Sequence, residues 1–285
     1  MIKKANTKKG PDKLRLGMLV VVVLGALVAL IVGLSMATGT LREIWQEQYK
    51  VTDQELDVVI TTGKRVKPEI IVWCFGLTNG ANLATIPFEE HRSKLLKSQP
   101  NIRDIRIERR LPNRVIVDVS EREPLVRVVQ RKSPNEGGRV ADNEGVVFRF
   151  EEAPKSLPVI VEPTETPTVY GKKLTDMASS ALLLVEVAAQ PEFADMRIRK
   201  IDTSHSDYLL AEVSVTGLDA TQFIQIAWDH MQDKSKESRE SLTRQLKCVC
   251  NAMSSRLTIG QQRWIATDWS TPVRITATPI ISGVK

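Results

Sequence analysis

The chain has 285 residues and a formal net charge of +6, a balance that often accompanies nucleic-acid binding. Residues 1–15, however, hold six basic residues and one aspartate and therefore carry +5. Only +1 is left for the other 270 residues, and this even balance argues against a nucleic-acid partner. The three cysteines, Cys74, Cys248 and Cys250, are too few for a disulfide framework, so apolar cores must stabilise the fold.

Residues 16–37 form the first predicted element, an uncharged run that reads LGMLVVVVLGALVALIVGLSMA. As a helix this run would extend about 33 Å at ~1.5 Å per residue, enough to cross a hydrocarbon layer of roughly 30 Å. We predict a transmembrane helix that contacts lipid from Leu16 to Ala37. Because the basic residues precede it, residues 1–15 are expected to be a cytoplasmic tail and the rest of the chain to lie outside the cytoplasm.

A cleaved secretory signal is the main alternative to an anchor. Such signals have an apolar region of about 7–15 residues that ends in a small-x-small cleavage site. The run here is longer, and the sequence SMATG at its end is a poor match to a cleavage site, so an uncleaved anchor is favoured. Residues 38–55 are predicted to follow as a juxtamembrane helix or linker.

Residues 56–124 are predicted to form a first compact domain. A short strand around residues 56–62 precedes a brief helix that begins at Pro68, and a second helix is expected from Pro87 to Ser98. Alternating apolar residues then predict two strands, with Ile102, Ile105 and Ile107 in the first and Val115, Val117 and Val119 in the second. The predicted order of elements is β-α-α-β-β.

Residues 125–285 are predicted to form a second α+β domain with a mostly antiparallel sheet. An amphipathic helix is expected from Leu174 to Gln190 and a polar, charged helix from about Ser235 to Ser254. Strands are expected at Met196–Asp202, Tyr208–Val215, Phe223–Trp228, Arg263–Thr267 and Val273–Thr278.

The first of these domains resembles the POTRA domain of the FtsQ/DivIB cell-division proteins. The likeness rests on the early strand, on GANL at residues 80–83 and on QPNIRDIRIERRLPNRVIVDVSEREP at residues 99–124. Within this run the family's arginine corresponds to Arg109 or Arg110, its proline to Pro112, and its ER.P element to Glu121, Arg122 and Pro124. The resemblance implies a single N-terminal transmembrane helix, a POTRA domain and a second domain built on a sheet.

Two further segments extend the resemblance into the second domain. Residues 139–148, RVADNEGVVF, are similar to the family's entry motif, with Asp142 and Gly145 at its aspartate and glycine, and residues 156–160 fit its leucine-proline segment. Asp268 lies where many members have aspartate, leucine and arginine in succession, although Trp269 and Ser270 replace the last two here.

No catalytic or metal-binding motif is found in the sequence. The three histidines are isolated, and Cys248 and Cys250 lack the further ligands that a zinc site needs. Residues 142–145 lack the ligand spacing of a calcium loop, so a β-turn between two strands is favoured. No GxSxG, phosphate-loop or HExxH motif occurs. We expect no enzyme activity, no metal, no cofactor and no small-molecule substrate.

A basic surplus lies between residues 103 and 132, which hold nine basic residues and five acids. On alternating strands such side chains form a solvated sheet face, which is the simpler interpretation. The alternative is a docking face for an acidic segment of a partner or for anionic headgroups.

The resemblance implies a non-catalytic scaffold of bacterial cell division, held in the cytoplasmic membrane at the septum. In the family, the terminal strand of the second domain and a neighbouring helix hold the FtsB partner of the FtsB–FtsL pair. The corresponding residues are Thr271, Val273, Arg274, Ile275 and Thr276 on the strand and Leu242 and Leu246 on the helix.

Two other hypotheses stay open at this point. An anchored POTRA module could act as a chaperone or secretion-associated protein that captures extended peptides, because an exposed sheet edge accepts a strand from another chain. An anchored hydrolase or receptor would require a deep polar pocket in the second domain.

Overall fold

A computed structural model describes residues 12–48, 57–77, 81–83, 85–110, 114–132, 138–163, 168–227, 231, 234–255, 260–266 and 275–280. The chain forms two compact units. The smaller comprises Met1–Thr61, Lys67–His91 and Arg106–Asp118, and the larger comprises Thr62–Val66, Arg92–Ile105 and Val119–Lys285. The domain bounds drawn from the sequence stay a prediction.

The first helix, α1, spans Asp12–Gln48 without interruption. It contains the whole uncharged run of residues 16–37 and continues into the segment that was expected to be a juxtamembrane helix or linker. Within the described part of the chain, no helix combines the length and the apolar character that a membrane crossing requires.

The elements that follow have the predicted β-α-α-β-β order. They are β1 (Asp57–Thr61), α2 (Pro68–Cys74), α3 (Phe88–Ser98), β2 (Ile102–Arg110) and β3 (Arg114–Glu121). The three strands form one sheet in the order β1-β3-β2, in which β1 runs parallel to β3. A parallel pair needs a crossover connection, and the helices α2 and α3 lie in that connection.

The short helix α2 lies between a proline and a glycine and packs in the apolar core of the smaller unit. Pro68 occupies its first turn, where a missing N–H costs nothing, and Gly76 follows its end with a φ of 62°. Ile71 and Phe75 are fully buried. The Phe75 ring lies 5.8 Å from that of Phe88, centroid to centroid, so the start of α3 packs against the end of α2.

The remaining strands form a nine-stranded sheet. Its members are β4 (Val126–Gln130), β5 (Arg139–Ala141), β6 (Val147–Arg149), β7 (Val159–Glu162), β8 (Met196–Asp202), β9 (Tyr208–Val215), β10 (Gln222–Ala227), β11 (Gln262–Ala266) and β12 (Thr276–Pro279). Their order across the sheet is β12-β11-β10-β9-β8-β7-β4-β5-β6. The described edges are therefore β12 and β6.

Two long helices connect the parallel strand pairs of this sheet. The helix α4 (Asp176–Ala188) lies between β7 and β8, and α5 (Lys236–Ser255) lies between β10 and β11; both strand pairs are parallel. The pair β4–β7 is also parallel, whereas the other five described pairs are antiparallel. The sheet is thus mostly antiparallel, as predicted.

The core of the larger unit lies between these helices and the sheet. On α5 the buried apolar residues Leu242, Leu246, Val249 and Met253 recur at helical spacing and form one stripe. Trp264 is the largest fully buried side chain. Its indole N–H donates to the Gln222 side-chain oxygen at 3.1 Å, which satisfies the one polar group of the ring.

Candidate functional site

Most motif residues predicted from the sequence lie together in the larger unit. Glu121 and Arg122 end β3 and start the connection to β4, while Asp142 and Gly145 form the turn between β5 and β6. We call Glu121, Arg122, Asp142 and Glu144 the motif cluster. Pro124 lies in the β3–β4 connection beside it, whereas Pro112 and Asp268 lie outside the described residues.

Asp142 organises the turn between β5 and β6. Its Oδ1 accepts hydrogen bonds from the backbone N–H of Glu144 at 3.1 Å and of Val146 at 2.8 Å. The Gly145 N–H donates to the Asp142 carbonyl at 3.0 Å, and Gly145 has a φ of 77°, a conformation that favours glycine. The predicted β-turn is confirmed, and no group of metal-ligating side chains is found among the residues described.

Arg122 binds one carboxylate oxygen of Asp142 and one of Glu144. Its Nη1 lies 2.5 Å from Asp142 Oδ2 and 2.9 Å from Glu144 Oε2. The Asp142 side chain is only 2% exposed and that of Arg122 is 13% exposed, so this ion pair is largely removed from water. The Arg122 backbone N–H also donates to the Asn101 carbonyl at 2.8 Å.

Arg122 and Glu144 shift each other's pKa. Burial by itself lowers the pKa of Arg122, but its hydrogen bonds to Glu144 and Asp142 outweigh burial and raise the pKa above the ordinary value. The hydrogen bond from Arg122 lowers the pKa of Glu144, partial burial opposes this change, and Arg103, at 2.6 Å, lowers the pKa further. Both groups stay ionised at neutral pH.

Glu121 performs a separate task. Its carboxylate accepts hydrogen bonds from the backbone N–H of Arg65 at 3.0 Å and of Val66 at 2.8 Å. A Cβ at Gly63 would overlap the Glu121 carboxyl group, so the glycine leaves the space that this carboxylate occupies. Glu121 therefore holds the turn that follows β1.

Arg109, one of the two candidates for the family's arginine, lies in the smaller unit. Its guanidinium donates to the Ile86 carbonyl at 2.8 Å and lies 4.4 Å from the centroid of the Phe88 ring. Arg110 instead pairs with Glu108, where both side chains are 56% exposed. Of the two candidates, Arg109 is the one that connects separate elements.

The predicted partner-binding residues fall into three groups. Thr271, Val273 and Arg274 lie outside the described residues. Thr276 is the first residue of β12, an edge strand of the nine-stranded sheet, and Ile275 directly precedes it.

Leu242 and Leu246 form the third group, and both are fully buried in the core. They hold α5 in place, so contacts with a partner would have to come from exposed residues of the same helix. Arg244, Lys247 and Asn251 are of this kind.

The backbone of β12 has hydrogen-bonding groups that point away from its neighbour β11. The Ile280 N–H donates to the Gln261 carbonyl at 3.0 Å, and the register pairs Trp264 with Ala277. Bonded and non-bonded pairs alternate in an antiparallel ladder, so the N–H and C=O of Ala277 point away from β11. Among the described strands none pairs with that outer side.

The described cysteine and histidine side chains are partly buried or contact neighbouring residues. The three cysteines are free and partly buried, and burial raises the pKa of the Cys74 and Cys250 thiols, which disfavours the reactive thiolate. The His91 ring is hydrogen bonded to the Cys74 carbonyl at 2.7 Å, and His205 stacks on Tyr208 at 4.3 Å. His230 lies outside the described residues.

Sequence reasoning missed the partners of the motif residues. Arg65, Asn101 and Arg103 were not singled out, and Glu144 was noted only as part of a turn. Arg65 contacts Glu121, Asn101 contacts Arg122, and Arg103 contacts Glu144. The two residues of each pair are more than twenty positions apart in the sequence, so local spacing does not predict these contacts. The need for a glycine at position 63 likewise becomes visible only in the folded chain, where the Glu121 carboxylate occupies the place of a Cβ.

A family model described as "POTRA domain, FtsQ-type" matches residues 57–122. No curated protein matches the chain significantly. The chain therefore contains a POTRA domain, a class of domain that generally mediates protein–protein interaction. That domain is of the FtsQ type, so the match supports an FtsQ/DivIB-type protein, a family that is typically non-catalytic.

Removal of the Arg122 side chain should destabilise the protein strongly. Arg122→Ala leaves the Asp142 carboxylate buried without its partner, and breaking a buried pair in this way costs about 3–5 kcal/mol. Urea unfolding of the full chain in detergent, followed by tryptophan fluorescence, measures the loss. Arg103→Ala is the control, because its exposed pair with Glu144 is worth only about 0–1 kcal/mol. Equal losses for the two variants would contradict the role given to Arg122.

Acid should weaken the protein partly through Glu144. Its pKa in the folded protein lies below the ordinary value of 4.5, so its contribution to stability is present above that pH and is lost as the pH falls through the folded pKa. Glu144→Gln should be less stable than the wild type at pH 7 and should lose less stability on acidification. Thermal melts from pH 7 to pH 3 test this, and parallel curves for the two proteins would refute it.

Proposed function

We propose that this protein is a membrane-anchored scaffold of the bacterial divisome that binds other division proteins outside the cytoplasm. The FtsQ-type POTRA domain points to a scaffold related to cell division. The observation that supports the finer proposal is the outer side of β12, where no described strand pairs with the backbone N–H and C=O of Ala277. The family resemblance implies that this strand holds the FtsB partner of an FtsB–FtsL pair.

The two edges of the nine-stranded sheet differ in how they could accept a partner. At the β6 edge, Val146 forms an isolated bridge with Lys173, and the Gly171 N–H donates to the Val147 carbonyl at 2.7 Å. The chain itself therefore occupies part of that edge. At β12 no described segment does so, and Pro279, which has no N–H, lies at an outward-facing position where no ladder bond is lost.

A strand added to β12 would gain affinity from main-chain hydrogen bonds and specificity from its alternate side chains. Thr276 and Thr278 are exposed, and Ala277 is partly buried against the core. The exposed residues of α5 add charged side chains that a partner helix could contact. This combination suits a partner that has both a strand and a helix.

We also propose that α1 anchors the protein in the cytoplasmic membrane. Its described apolar side chains are widely exposed, from 48% for Val32 to 74% for Met18, and extended apolar surface of this kind marks an interaction site. The Ser35 hydroxyl donates to the Val32 carbonyl at 2.8 Å, so the helix itself satisfies a polar group that lipid could not. The basic tail before it favours a cytoplasmic N-terminus.

Ala277→Pro tests the edge-strand proposal. The substitution removes the outward N–H of β12 and leaves its hydrogen bonds to β11 in place, so partner binding should fall by about tenfold while the fold persists. Co-purification of anchored division proteins from crosslinked membranes measures binding, and circular dichroism of the purified chain checks the fold.

Thr278→Ala is the matched control, because it changes a neighbouring side chain and keeps every backbone donor. Its recovery of partners should stay within about twofold of the wild type. Equal recovery with both variants would move the partner site elsewhere. A fluorescent fusion that spreads evenly over the envelope, or normal septation after depletion, would overturn the divisome proposal. Recovery of outer-membrane precursors alone would favour the strand-capturing alternative.

A further inference from the structure

A cleft of about 820 Å³ opens in the larger unit, away from β12. Four segments line it: the turn after β1, the end of α3 with the connection to β2, the end of β6 with the residues that follow, and Tyr170 between β7 and α4. Its volume lies within the roughly 300–1,000 Å³ that ligand-binding pockets occupy, and it exceeds the space that a single inorganic anion needs.

The wall of the cleft is rich in cations. Lys64, Arg65, Lys97 and Arg149 all line it and are all exposed. Arg149 is paired with Glu151 at 2.5 Å. Neither Lys64 nor Lys97 forms an ion pair with any described residue, so both are available to bind an anionic ligand.

Arg65 is held in place before any ligand arrives. Its guanidinium lies 4.3 Å from the centroid of the Phe150 ring, and its Nη1 donates to the Arg122 carbonyl at 2.5 Å. The Arg65 backbone is fixed in turn by Glu121. An arginine whose conformation is already set loses little entropy when it binds a carboxylate.

An aromatic ring completes the cleft. Tyr170 is 44% exposed, although the guanidinium of the buried Arg139 lies 5.9 Å from its ring centroid. Arg139 is itself held by the buried Glu162 at 3.4 Å. Arg139 therefore contacts the Tyr170 ring, and much of the ring stays open to solvent. The neighbouring Val169 side chain is 67% exposed.

We infer that this cleft binds an acidic peptide segment of a partner protein, with one aromatic or large aliphatic side chain against Tyr170. Carboxylates of the segment pair with Lys64, Arg65 and Lys97. A peptide fits better than a nucleic acid, because Glu151 and Glu152 lie among the cations of the cleft. A peptide can place an uncharged side chain opposite these carboxylates, whereas a nucleic acid carries a repelled phosphate at every nucleotide. The residues involved are separate from β12, so this site and the edge strand can be tested independently.

Fluorescence anisotropy tests the assignment with the full chain in nanodiscs of neutral phosphatidylcholine. The probe is a fluorescein-labelled short peptide in which acidic residues alternate with serines on both sides of a central phenylalanine. Lys64→Glu combined with Lys97→Glu should weaken binding at least about tenfold, and Tyr170→Ala about three- to tenfold. Higher salt should weaken wild-type binding, because the pairs are exposed.

Lys155→Glu is the control, because Lys155 is exposed in the segment that follows but does not line the cleft. Its effect should stay within about twofold, and a peptide with lysines in place of the acids should not bind. Equal losses for Lys155→Glu and the double variant, equal binding of the basic peptide, or complete displacement by single-stranded DNA or inorganic phosphate would each overturn the assignment. Melting temperatures close to that of the wild type confirm that the variants fold.

Discussion

The ion pair between Arg122 and Asp142 is the contact on which the rest of the larger unit depends. Asp142 uses one carboxylate oxygen to shape the β5–β6 turn and the other to bind Arg122. Because hydrophobic burial has no direction, it cannot decide which turn meets which strand end, whereas a buried pair with defined geometry can. Such pairs add little net stability but are costly to break. The neighbouring Glu121 then fixes the turn at Arg65 and Val66, so two adjacent residues position two separate segments.

Local pattern predicted the elements well, and contacts between distant residues were not predictable from it. The strands Met196–Asp202 and Tyr208–Val215 have the bounds expected from their alternation, because one face of each is buried. The strand order, by contrast, depends on the crossovers through α4 and α5, and no local period encodes it. Leu242 and Leu246 show the limit for sites: the resemblance placed them at a partner surface, yet their spacing of four residues on α5 is that of a core stripe, and both are buried.

Motif residues and proposed binding surfaces are separate in this protein. In the motif cluster Asp142 is buried, Glu121 and Arg122 are partly buried and Glu144 is exposed, and their contacts are with one another, with Arg103 and with backbone groups. The surfaces proposed to bind partners are the outer side of β12, with which no described strand pairs, and the cleft lined by the exposed residues Lys64, Lys97 and Tyr170. The cleft nevertheless depends on the motif, since Arg65 is held through Glu121 and the Arg122 carbonyl. A family motif can thus be structural and still determine the shape of a binding site.

Site-specific photocrosslinking in living cells tests the central claim, that β12 is the edge to which a division partner adds a strand. A photoreactive amino acid replaces exposed Thr278 on β12 or, as a control, exposed Lys200 on the central strand β8. We expect a crosslink from position 278 to a membrane-anchored division protein and none from position 200. Crosslinks of equal yield at both positions, or none at position 278 in dividing cells, would contradict it.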